Sequence, residues 1–88
     1  MIVEHEVISF AAEEPRLLGA IHELIVEFGR PEPAEVVRGL VRGGWAELCN
    51  SKGVALDPWK SAEILRAGRL PSDVYILATQ AGLEWGYS

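Results

Sequence analysis

Leu17, Leu18, Ile21, Leu24, Ile25 and Phe28 fall at offsets 0, 1, 4, 7, 8 and 11 along the chain, the single apolar stripe of an α-helix. Glu13, Glu14 and Pro15 precede it, where carboxylates and a first-turn proline suit the positive end, and Gly29 supplies a stop. His22, Glu23 and Glu27 lie off the stripe and are predicted to face water. A second helix is predicted from Pro33 to Arg42, with Val36, Val37, Leu40 and Val41 on its buried side and Gly43 and Gly44 ending it. Gly39 within it costs about 1 kcal/mol relative to alanine.

Trp45 to Asn50 mixes aromatic and aliphatic residues ahead of the turn cluster Asn50, Ser51, Lys52 and Gly53, and reads as a strand. Asp57 and Pro58 resemble an N-cap and first helical residue. Trp59, Ala62 and Leu65 then recur at three-residue intervals until Gly68. Val74 to Ala78 is continuously apolar and reads as a second strand. Thr79 is expected to cap one last turn through Gly82, leaving Leu83, Trp85 and Tyr87 as an alternating aromatic tail. Residues 1–12 carry the β-formers Ile2, Val3, Val7, Ile8 and Phe10 and are read as an N-terminal strand or arm. The expectation is a single α+β domain over residues 1–88, three helices packed on a short antiparallel β-ribbon.

Composition narrows the function. Hydrophobic residues make up 49% of the 88 positions, too many for a disordered chain. Thirteen acids against eight bases give a net charge of −5, which disfavours a surface that attracts polyanions everywhere. The charge is uneven. Residues 1–35 hold eight acids against two bases, whereas residues 36–88 hold six bases against five acids. Arg38 and Arg42 stand one helical turn apart. A helix C-terminus favours cations for its own stability, and that reading outweighs contact with phosphates or a guanine edge.

Catalytic and metal patterns fail one after another. His22-Glu23 begins like a zinc-protease helix, but Val26 stands where a second histidine is required. No lysine and hydroxyl residue follow Gly39, Gly43 and Gly44 at the spacing of a phosphate loop. Ser51, Ser61 and Ser72 read as turn or helix-surface residues. Cys49 is the sole cysteine, which excludes an intrachain disulfide and suits a reducing cytosol. The first ten residues lack the basic start of a secretory signal, and no apolar run is long enough for a membrane span. The reading is a cytoplasmic non-enzyme that needs no metal or cofactor.

The stretch Pro33-Ala34-Glu35-Val36-Val37, running through Leu40-Val41-Arg42-Gly43-Gly44 into Trp45, resembles the part of a winged-helix domain that leads into its first wing strand. The run Val74 to Gly82 resembles the second wing strand followed by a T-x-x-G turn. The resemblance covers about residues 15–86 and implies that the 33–42 helix matches the recognition helix, with Arg38 and Arg42 as its basic positions. Between Phe28 and Trp45 the chain has room for that helix alone, one fewer than a full helix-turn-helix needs. A further helix, Asp57 to Ala67, falls between the wing strands, where a short hairpin is usual.

Such folds also serve as protein-docking modules, and fold alone does not settle function. The expected role is therefore protein–protein interaction, with a protein partner or a second copy, and with Trp85 and Tyr87 as the candidate interface. The alternative is a DNA-binding regulator that uses the 33–42 helix with Arg38, Arg42, Lys52, Lys60, Arg66 and Arg69.

Overall fold

A computed structural model describes the backbone of residues 3–67 and 70–87, and side chains as far as Trp85. Five helices and three strands follow in the order α1 (Val3–Phe10), β1 (Arg16–Leu17), α2 (Leu18–Glu27), α3 (Pro33–Arg42), β2 (Ala46–Cys49), α4 (Pro58–Arg66), β3 (Tyr75–Ala78) and α5 (Gln80–Tyr87). The protein is a small α+β domain, as its sequence predicts. The sheet is antiparallel with β3 in the middle, in the order β1-β3-β2.

The N-terminal segment is a helix, not the strand or arm expected of it. Val3, Val7, Ile8 and Ala11 are buried, and their spacing places them on one helical face. Glu4 and Glu6 lie in the first turn, where negative charge complements the helix dipole. Arg30, in the connection after α2, reaches back to Glu4 at 3.0 Å. Phe10 remains partly exposed, with the Arg16 guanidinium 4.4 Å above its ring.

The end of the chain also differs. The predicted last turn and aromatic tail form the continuous helix α5. The Thr79 hydroxyl accepts the Gly82 N–H at 3.1 Å, as a helix cap does, and donates to the Gly44 carbonyl at 2.6 Å. Gly82 is required by close packing. A Cβ placed there would lie 1.9 Å from the Trp45 carbonyl oxygen, so α5 crosses the start of β2 with almost no gap.

The core lies between the sheet and four of the helices. Ile8, Leu18, Ile21, Ile25, Leu40, Leu48 and Ile76 are its largest fully enclosed apolar side chains. Cross-strand partners Leu48 and Ile76 share the face that meets the helices, as do Ala46 and Ala78. The helix α1 packs against α5, α2 and β3, while α2 packs against α3. In contrast, α4 enters the core mainly through Leu65, with Ile64 half-buried beside it.

Candidate interaction surface

The stretch that places α4 begins as a hairpin on β2. Gly53 adopts φ +80°, and its N–H donates to the Asn50 carbonyl at 3.0 Å. The Asn50 side-chain oxygen accepts the N–H groups of Lys52 and Val54, at 2.9 and 3.1 Å. The chain then returns antiparallel to β2, with Cys49 bridged to Ala55 and the Leu56 N–H donating to the Leu48 carbonyl at 3.0 Å. Pro58 ends this pairing by starting α4. Asp57 occupies the N-cap position, as expected, but makes no side-chain cap hydrogen bond.

This arrangement leaves Trp59 in solvent, 73% exposed, with Val54 nearby in sequence at 59%. The three-residue recurrence of Trp59, Ala62 and Leu65 does not put them on one face. At about 100° per residue, six positions carry Leu65 about 240° round the helix from Trp59. Leu65 points into the core and Trp59 points out. Angular stepping along the predicted helix would have identified Trp59 from the sequence; counting threes concealed it.

A groove of about 660 Å³ opens between the outer side of β2 and the start of α4. Val41, Leu56, Pro58, Glu47 and Asp57 are among the residues that line it, with the buried Ala46 and Leu48 at its base. Burial, aided by the charge of Glu47, raises the Cys49 thiol above its ordinary pKa. No group of three metal-ligating side chains occurs among the described residues.

The predicted site residues disperse. Trp85 is half-buried, stacked on Trp45 with ring centroids 4.5 Å apart and 17° between planes. His5 meets it edge-on at 4.3 Å. Tyr87 belongs to the backbone of α5, and its side chain lies outside the described residues. The backbone that carries Trp85 and Tyr87 is helical, so the alternating tail expected there is not formed.

Arg38 is committed to α4. Its Nε donates to the Leu65 carbonyl at 2.9 Å and its Nη2 to the Ala67 carbonyl at 2.6 Å, while Nη1 holds Glu35 at 2.6 Å. Its side chain is only 12% exposed. Arg42 is exposed near the end of α3, Lys52 on the hairpin turn, and Lys60 and Arg66 on α4; Arg69 lies outside the described residues. No protein-family model matches the chain, and comparison with curated proteins and with solved structures found no match.

Proposed function

We propose that this chain is a non-enzymatic, winged-helix-like docking domain that binds another protein through the hairpin and α4. The element order and the β1-β3-β2 sheet are compatible with winged-helix topology. On that reading α1 supplies the helix that the sequence pattern lacked, and α4 occupies the place of a short wing. No helix among the described residues is long and apolar enough to cross a membrane.

The solvent-facing indole of Trp59 carries the docking reading. Tryptophan is among the residues that most often anchor protein interfaces, and burying a large side chain contributes about 2–3 kcal/mol. Val54 extends the same apolar exposure onto the hairpin. The nucleic-acid alternative has weaker support, because Arg38 is spent on the end of α4 and the other described candidates are spread over α3, the hairpin turn and α4.

The test is photo-cross-linking in the native cell with benzoylphenylalanine in place of Val54. A discrete protein adduct that disappears on adding Trp59→Ala is expected. Adducts to nucleic acid, or no adduct at all, would reject the reading.

A further inference from the structure

We propose that α4 is a latch, a helix that opens and closes as one unit while the sheet and the other helices stay folded. Arg38 is the catch that holds it shut. Burial supplies the first argument. Six of the nine residues of α4 are exposed, Ser61 and Ile64 are half-buried, and Leu65 alone is buried. Every one of the largest fully enclosed apolar side chains, Ile8, Ile21 and Ile76 among them, lies on another element. A nine-residue helix is too short to persist in water without packing, so its state follows its attachment.

That attachment is narrow. At the N-terminal end Asp57 makes no side-chain cap hydrogen bond, and the pairing that leads into α4 ends at the bond from the Leu56 N–H to Leu48. Pro58 therefore starts the helix outside the β1-β3-β2 sheet, which is complete without it. At the other end, Arg38 Nε and Nη2 donate to the Leu65 and Ala67 carbonyls at 2.9 and 2.6 Å. Among the described residues these are the only hydrogen bonds that reach α4 and its C-cap from another element. The last carbonyls of a helix have no partner within it, and a cation is favoured there. Glu35, one turn earlier on α3, accepts from Nη1 at 2.6 Å and orients the guanidinium from its own helix. The polar catch and the one buried leucine thus act on the same end of α4, and releasing that end frees the helix. Regions with so few buried apolar contacts open at a small fraction of the cost of global unfolding. Opening carries Trp59 away from Val54, which stays on the hairpin. The latch therefore gates the docking surface, and this consequence alone rests on the docking reading.

Native-state hydrogen exchange, followed by NMR on the whole chain in low urea, reads the opening directly. The amides of Ala62–Arg66 are expected to share one opening constant and one shallow urea dependence, with opening at least about tenfold more frequent than for the β3 amides. Arg38→Gln is expected to raise the α4 opening constant about tenfold or more. Ile76→Val weakens a core that stays intact when the latch opens; it is expected to speed β3 exchange about threefold or more and leave α4 unchanged. Four results would overturn the proposal: a common opening constant for α4 and β3, graded α4 protection without urea dependence, no response to Arg38→Gln, or equal acceleration of both elements by Ile76→Val. Concerted α4 opening without a protein adduct at position 54 rejects docking, and the gate with it, but retains the latch. An adduct at position 54 without concerted opening rejects the latch and retains docking.

Discussion

One substitution, glycine to alanine, is expected to have opposite effects at two helical positions. At Gly82 the new methyl would lie 1.9 Å from the Trp45 carbonyl oxygen and 2.8 Å from its carbon. Both obstacles are backbone atoms of Trp45, just ahead of β2 and held there by the Thr79 N–H, so relief requires α5 to move away from β2. That movement loosens the Thr79 cap and the packing of α5 on α1. Overpacking of this kind costs about 1–3 kcal/mol, more than alanine regains through helix propensity. At Gly39, by contrast, an added Cβ meets nothing within 4 Å, and the position is an exposed one within α3. Gly39→Ala is expected to stabilise by about 1 kcal/mol. For a domain of this size each kcal/mol moves the midpoint by about 4–8 °C. Thermal unfolding of the two variants beside the parent should therefore separate them by at least about 4 °C, and urea unfolding should rank them in the same order. Equal midpoints, or a Gly82→Ala protein as stable as the parent, would refute the close approach of α5 to β2.

Arg38→Gln removes charged hydrogen bonds to the end of α4 and is expected to cost about 1.5–3 kcal/mol. Hydrogen exchange should accelerate in α4 before it does in α3; uniform acceleration would contradict a local clamp. Trp59→Ala is expected to change stability by less than about 0.5 kcal/mol, because its ring is in solvent. Trp85→Ala, which removes the stack on Trp45, is expected to cost about 3 kcal/mol in urea unfolding. The raised Cys49 pKa predicts that the unfolded thiol ionises first. Stability from this group is then constant below about pH 9 and falls above it. The fall between neutral and alkaline pH should be smaller in Cys49→Ala, and an identical fall would remove the link.

Legibility in the sequence followed how local each cause was. Both ends of α3 are readable because Pro33 starts the helix and Gly43 and Gly44 follow it. Pro58 marks the start of α4 in the same way. The helix α1 is obscured because it is short and its β-formers Val3, Val7, Ile8 and Phe10 suggest a strand. Burial against α5 and α2 decides its conformation, and that partner surface comes from elsewhere in the chain. A similar conflict hides α5, where Gly82 reads as a breaker although a tertiary contact demands it. At two residues, β1 is too brief to leave a pattern. For the interaction surface, Trp59 was legible in principle from helix angles, whereas the groove depends on where Pro58 diverts the chain.

The central strand of the sheet is also the last of the three in the chain. A nascent polypeptide emerging from the ribosome therefore carries both outer strands before anything exists to join them. Until Ala78 clears the exit tunnel, the sheet cannot zip. Closure of the sheet must therefore wait for the synthesis of β3.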